Sequence, residues 1–175
     1  MTKPLKCRLF MDSYETRIAL YESIHNLPQI LQLMQTNDNL CLINAKTIFD
    51  VNHLLCAINK SMGYKLIDKL ITKQVNKEIL FSLSLSKNIT DSLSTFGVKP
   101  SDHTLPILAI SVDQINDTLN TYFFDQIDGK ALPIESLKCL RDDSLIDRIY
   151  KLKEKSTELE KWDLIVSRIA TKDII

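Results

Sequence analysis

The chain has 175 residues, 45% of them hydrophobic and 25% charged, which is typical of a globular protein long enough to bury a sizeable core. Lys plus Arg and Asp plus Glu number 22 each, so no net charge attracts the whole chain to nucleic acid or to an acidic membrane surface. Its 3 glycines lie far apart, which excludes the clustered glycines of a phosphate-binding loop. We predict one domain over residues 1–175.

The first predicted elements are short strands around one helix. Residues 5–12 and 16–21 are predicted as strands, joined by a turn at residues 13–15. A helix over residues 27–35 and a brief third strand at residues 40–43 follow. This order begins an antiparallel sheet.

The next segment is the clearest amphipathic helix of the chain. Asp50 is placed to accept hydrogen bonds from the first-turn N–H groups, and Gly63 is expected to end the helix. One apolar stripe recurs at helical spacing and consists of Val51, Leu54, Leu55, Ile58 and Met62. The residues off this stripe are predicted to form an exposed, donor-rich face suited to holding a ligand or partner: Asn52, His53, Asn59 and Lys60.

The middle of the chain predicts more helices and one clear strand. Residues 66–71 are predicted as helical, and residues 75–84 fit a strand or a helix, with the helix favoured. Residues 88–96 form a short predicted helix that stops before Gly97. Residues 105–112 are the clearest strand.

The last third is predicted to be helical, over residues 115–127, 134–140 and 143–152 and in a final helix. Thr157 and Glu160 have the spacing of a capping box at the start of that final helix. Its predicted apolar face consists of Leu159, Trp162, Val166 and Ile169. The fold class is therefore α+β, with several helices covering a small, largely antiparallel sheet.

No targeting or membrane segment is expected. The basic start is not followed by an apolar core, and no apolar run approaches the ~20 residues that span a bilayer. The chain is therefore expected in the cytosol or nucleus, where its dispersed cysteines should be buried thiols. These are Cys7, Cys41, Cys56 and Cys139.

A set of short motifs runs along most of the chain. The motifs are LIN at 42–44, Asp50, AINK at 57–60, EILFSLS at 78–84, NI at 88–89, FG at 96–97, IYKL at 149–152 and TKD at 171–173. In this order and spacing the chain resembles the PRPK-binding protein (TPRKB) family, the small accessory subunits of the KEOPS/EKC complex. Lys73 stands where family members carry an arginine, so the bidentate contact of an arginine fork with phosphate is lost there.

The resemblance implies a non-catalytic subunit without cofactors in the cytoplasm and nucleus. Family members bind the N-lobe of the small kinase/ATPase subunit, which contacts the threonylcarbamoyl-transferase subunit. The assembled complex places threonylcarbamoyl on the tRNA adenosine next to the anticodon, and archaeal relatives hold the 3′ CCA end of the tRNA. The family is also linked to telomere maintenance and transcription.

The residues themselves offer no pattern for catalysis or metal binding. The histidines are His25, His53 and His103, and no cysteine lies near one in a known nucleophile pattern. No CxxC, HxxxH or HExxH spacing occurs, and the Asp142–Asp143 pair is typical of a helix N-terminus. The alternative to an accessory subunit is a stand-alone small α+β enzyme or ligand-binding domain. Co-purification with a kinase partner would separate the two.

Lysines at four-residue spacing are the candidate nucleic-acid site. If residues 64–84 were one helix, Lys65, Lys69, Lys73 and Lys77 would form a basic stripe beside Asn59 and Lys60. Such a stripe would give weak, salt-sensitive tRNA binding that needs the partner subunits. A solvated surface explains the same pattern equally well. The candidate contact residues are Asn59, Lys60, Lys65, Lys69 and Lys73.

The candidate kinase-binding residues lie near the C-terminus. Ile174 and Ile175 follow the final helix and do not pack back easily on it, so we expect them to dock on the kinase together with Val166. Trp162 and Ile169 are expected in the protein's own core.

Overall fold

An antiparallel sheet lies at the centre of the structure, a computed structural model that describes residues 3–10, 13–115, 122–153 and 155–173. Its strands are β1 (Leu5–Arg8), β2 (Tyr14–Glu22), β3 (Leu40–Asn44), β4 (Ile107–Gln114) and β5 (Lys130–Leu132). The strand order is β1-β2-β4-β3, and β5 pairs with β2 beyond the end of β1. Every pairing is antiparallel.

Both faces of the sheet are buried. Because side chains alternate along a strand, Leu108 and Ile110 of β4 enter one core cluster, while Ile107 and Ala109 enter the other. Strand β3 divides in the same way. This explains why β3 and β4 are almost continuously apolar instead of alternating with polar residues.

Helices cover the two faces unequally. Helix α1 (Leu27–Thr36) and residues 123–127 pack on one face. The other face is covered by α2 (Val51–Leu66), α3 (Val75–Leu83), α4 (Ile89–Phe96), α5 (Leu137–Leu140), α6 (Asp143–Tyr150) and α7 (Glu158–Thr171). The α+β prediction with a small antiparallel sheet is confirmed, and so is the helical alternative for residues 75–84.

Capping residues start three of these helices as the sequence predicts. The Asp50 carboxylate accepts from the His53 N–H at 2.7 Å, and Asp142 caps α6 in the same way. At α7 both arms of the capping box are present: Glu160 N–H donates to Thr157 Oγ1, and Thr157 N–H donates to the Glu160 carboxylate.

The predicted end of α2 is wrong, because the helix passes Gly63 and continues to Leu66. Asp68 takes the left-handed conformation (φ 53°) that glycine was expected to supply. The Lys69 N–H then donates to the Tyr64 carbonyl and the Asp68 N–H to the Lys65 carbonyl, the two bonds of a Schellman motif. The predicted helix over residues 66–71 is consequently wrong beyond Leu66.

Other predicted boundaries also shift. Tyr14 and Glu15 belong to β2 rather than to a turn, and β5 was not predicted. Of the predicted helix over residues 115–127, residues 116–121 lie outside the described residues, and the described remainder contains only a 3₁₀ turn, Phe124–Gln126.

The expectation of buried thiols holds for one cysteine of the four. Cys41 is buried in β3, where its neighbours are apolar, and burial raises its pKa to about 12. Cys7 and Cys56 are half-buried and Cys139 is exposed.

Candidate interaction surfaces

His53 is not part of an exposed face of α2, contrary to the prediction. Its Nδ1 accepts the Phe49 N–H at 3.0 Å, which leaves the proton on Nε2 to donate to the Tyr150 hydroxyl at 2.7 Å. Tyr150 in turn donates to the Leu83 carbonyl at 2.6 Å. Burial lowers the pKa of His53 to about 3, so the ring is neutral and joins α2, α3 and α6. It has a structural role.

Asn59 also makes internal contacts. Its side-chain oxygen accepts the Phe10 N–H at 2.8 Å, and its amide nitrogen donates to the Leu55 carbonyl at 2.9 Å. The residue thus ties the end of β1 to α2. The amide is therefore already engaged where a free nucleotide-binding group was expected.

Lys60 is paired with the C-terminal end of α7. Its ammonium lies 2.6 Å from Asp173 Oδ2 and donates to the Ile169 carbonyl at 2.6 Å. Tyr64, one turn further along α2, donates to the same Asp173 carboxylate at 2.6 Å. Burial tends to raise the pKa of Asp173, but the bonds from Lys60 and Tyr64 and the charge of Lys172 hold it below its ordinary value.

Lys172 is a buried cation that the sequence analysis did not single out, although it is the centre of the TKD motif. Only 6% of the residue is exposed. Its ammonium lies 3.2 Å from the centroid of the Phe81 ring and donates to the Phe81 carbonyl. Desolvation lowers the pKa of Lys172 to about 8, and the nearby Asp173 and Glu78 carboxylates partly oppose this shift.

The remaining lysines do not form one helical row. Residues 67–74 separate α2 from α3, and Lys73 itself has a left-handed backbone (φ 64°), so the single-helix geometry on which the stripe depended is wrong. Lys65 donates to the Asn39 side chain at 3.2 Å. Lys69, Lys73 and Lys77 are exposed.

A groove lies beside this basic segment. It has a volume of about 470 Å³ and is bounded by α1, the start of α3 and the end of α4. Apolar side chains form most of its walls, and its polar lining residues are Gln35, Gln74, Asn76 and Lys77. Lys73 directly precedes Gln74. The Asn76 amide is fixed by donating to the Met34 carbonyl at 3.2 Å, so this polar group is preformed.

Helix α7 carries more apolar surface than the core covers. Ile165 and Ile169 are buried, whereas Leu159 is 70% exposed and Trp162 and Val166 are only half-buried. The predicted apolar face is thus wrong for Leu159, since the core lies on the side of Ile165. Leu159, Trp162 and Val166 share one face at i, i+3 and i+7, which we call the outer stripe of α7.

The outer stripe continues into a recess on α2. Trp162 lines this recess of about 340 Å³ together with Leu55 and Phe10. Phe10 is 90% exposed although its backbone is held by Asn59. Exposed aromatic and aliphatic groups that are contiguous in this way mark protein-binding surfaces. Ile174 and Ile175 lie outside the described residues.

Two kinds of site are absent from the part of the chain that the structure describes. Its histidine, cysteine and acidic side chains form no group of three or more that could hold a metal ion. Its helices include none of the length and apolar character required to cross a bilayer.

These features define an α+β domain whose recessed and apolar surfaces are suited to binding other molecules. The profile of the family described as kinase binding protein CGI-121 matches residues 21–173, and the chain belongs to this family. It is 32% identical over 142 residues to the Aspergillus fumigatus EKC/KEOPS complex subunit cgi121, covering 77% of this chain and 75% of that protein. Identity to the Danio rerio EKC/KEOPS complex subunit TPRKB is 27% over 165 residues, covering 92% and 93%.

Proposed function

We propose that this protein is a non-catalytic accessory subunit of a KEOPS/EKC complex that binds the complex's small kinase/ATPase subunit. Membership of the kinase-binding family and the names of the relatives support this assignment. Through the kinase, the chain would associate with the threonylcarbamoyl-transferase subunit and support the modification of tRNA next to the anticodon. A stand-alone enzyme or ligand-binding domain is the alternative.

The observation that carries the proposal is the outer stripe of α7 and its recess. Phe10 and Leu159 are largely exposed close to a half-buried tryptophan, and exposed apolar side chains grouped in this way are typical of a surface that a partner covers. We propose that the kinase subunit covers this surface, together with Ile174 and Ile175. Val166, at the C-terminal end of the stripe, is then a contact residue.

Calorimetry with the purified kinase subunit tests the assignment. We expect a one-to-one complex, and we expect Ile174→Asp with Ile175→Asp to weaken it, since burial of each isoleucine contributes ~1.5–3 kcal/mol and a buried carboxylate adds a desolvation cost. Thermal melts of the isolated variant should match the wild type. Absence of any complex, together with intrinsic turnover of the isolated chain, would favour the enzyme alternative.

We also propose that the groove next to Lys73 and Lys77 holds the 3′ end of the tRNA. The bases of single-stranded nucleotides pack their flat faces on side chains and form hydrogen bonds through their edges. This groove offers apolar side chains for the faces and polar side chains for the edges. Among the described residues, Lys69 and Lys73 take part in no ion pair, so their exposed ammonium groups can reach phosphates without breaking one. Lys65, whose ammonium donates to the Asn39 side chain, would contribute charge.

Binding of tRNA to the assembled complex at several salt concentrations tests the groove. Lys69→Ala and Lys73→Ala should each lower the affinity and reduce the salt slope by about one unit, because each phosphate contact releases counterions. Lys87→Ala, an exposed lysine elsewhere, is the matched control. If both groove variants keep the wild-type slope, these lysines are only a solvated surface.

A further inference from the structure

The C-terminal end of α7 is held by charged groups that are mostly withdrawn from water. The Lys60 side chain is 14% exposed, and its ion pair with Asp173 is reinforced by the Tyr64 hydroxyl. By donating to the Ile169 carbonyl, Lys60 also satisfies a helix-terminal acceptor and places a cation at the negative end of the α7 dipole. One side chain of α2 thus makes two separate contacts with the end of α7.

Lys172 attaches the same end of α7 to α3. Its ammonium contacts both the ring and the carbonyl of Phe81, near the end of that helix. Nearby, Glu78 is fully buried and supplies negative charge: one of its oxygens accepts from Thr72, and the other has no partner. The end of α7 is therefore joined by directional contacts to two different helices.

Stability alone does not account for these charges, since Lys172 is buried and the Lys60 and Asp173 side chains are only 14% and 26% exposed. Replacing a buried ion pair by packed apolar side chains is often neutral or stabilising, because desolvation offsets most of the attraction. What directional bonds add is a defined geometry. Helix α7 needs it, because it buries only Ile165 and Ile169 fully among its described residues while Trp162 is partly covered, and so few apolar contacts along one side leave its rotation about its own axis weakly determined.

We propose that Lys60, Tyr64, Lys172 and Asp173 form a C-terminal lock that sets the rotation of α7, so that the outer stripe faces the kinase subunit. In this arrangement Lys60 is a positioning residue for the kinase interface and does not contact tRNA. The inference rests on the proposed kinase binding. Lys60 then has a different role from Lys69 and Lys73, although the sequence predicted all three as tRNA contacts.

A charge exchange tests the lock. Lys60→Asp and Asp173→Lys should each lower kinase affinity about tenfold or more. The double variant should recover part of that loss because the ion pair is rebuilt with opposite polarity, although the Ile169 carbonyl stays without its donor. Melting curves must show every variant folded at the assay temperature. Lys87→Asp carries the same charge change on an exposed site and should bind the kinase as the wild type does.

The tRNA measurement distinguishes the lock from a phosphate contact. At concentrations that saturate the complex, Lys60→Met should keep the wild-type salt slope, whereas Lys73→Ala should lose about one unit. A reduced slope for Lys60→Met with unchanged kinase affinity would overturn the lock, as would single variants that bind the kinase normally. A wild-type chain that fails to bind the kinase would instead contradict the proposed function itself.

Discussion

Replacing Leu159 by aspartate should weaken binding of the kinase subunit by at least about 100-fold while leaving the chain as stable as the wild type. Leu159 is 70% exposed in the free protein, so its loss removes little from the core. In the proposed complex it is covered, and the variant forfeits ~1.5–3 kcal/mol of apolar burial and adds the desolvation of a carboxylate. Calorimetry measures the affinity, and a urea titration measures the stability.

The control for this prediction lies on the same helix. Ser167 is exposed on the polar side of α7, away from the outer stripe, so Ser167→Asp introduces the same charge without entering the interface. It should bind the kinase with wild-type affinity. Equal weakening by the two variants would show that the charge of α7 matters rather than its outer stripe, and unchanged binding by both would place the kinase elsewhere.

The parts of the fold that the sequence predicts well are those encoded locally. Asp50, Asp142 and Thr157 each cap a helix through contacts within three residues, so their role is visible without knowledge of the rest of the chain. The strand over residues 105–112 is equally plain, because a continuous apolar run bounded by breakers is typical of a strand buried on both faces.

The errors arise where a distant contact decides the outcome. His53 is polar and falls off the apolar stripe of α2, but Tyr150 and the Phe49 N–H satisfy both ring nitrogens and allow its burial. Asp68 ends α2 because it adopts a left-handed conformation, for which glycine is the usual residue.

The candidate site shows the same division. The regular spacing of the lysines predicted one continuous basic surface, whereas tertiary contacts place these lysines in different environments. Lys60 pairs with Asp173, more than a hundred residues away in the chain, whereas Lys69 and Lys73 are exposed in the loop after α2. No local pattern predicts such a pairing. The TKD motif at 171–173 was the available signal, since both of its charged residues take part in the lock.

A buried hydrogen-bond network runs from the Phe49 N–H through His53 and Tyr150 to the Leu83 carbonyl. We expect the free energy of unfolding to depend strongly on this network. Tyr150→Phe leaves the Leu83 carbonyl and the His53 Nε2–H without partners in a fully buried site, so we expect it to lower the free energy of unfolding by about 1–3 kcal/mol. Urea denaturation at neutral pH measures this loss. A difference below the error of that measurement would contradict the role of the network.

Acid should weaken the fold through the same histidine. Burial lowers the pKa of His53 to about 3, whereas in the unfolded chain it is near 6.5, so between these values the unfolded state binds one more proton than the folded state. The free energy of unfolding therefore falls as the pH is lowered from 6.5 towards 3, by at most about 1.4 kcal/mol per pH unit from this group. His53→Gln keeps a donor and an acceptor but does not titrate, so the free energy of unfolding of the wild type should fall relative to that of the variant as the pH is lowered over this range. Parallel pH profiles for the two proteins would show that His53 is not the group responsible.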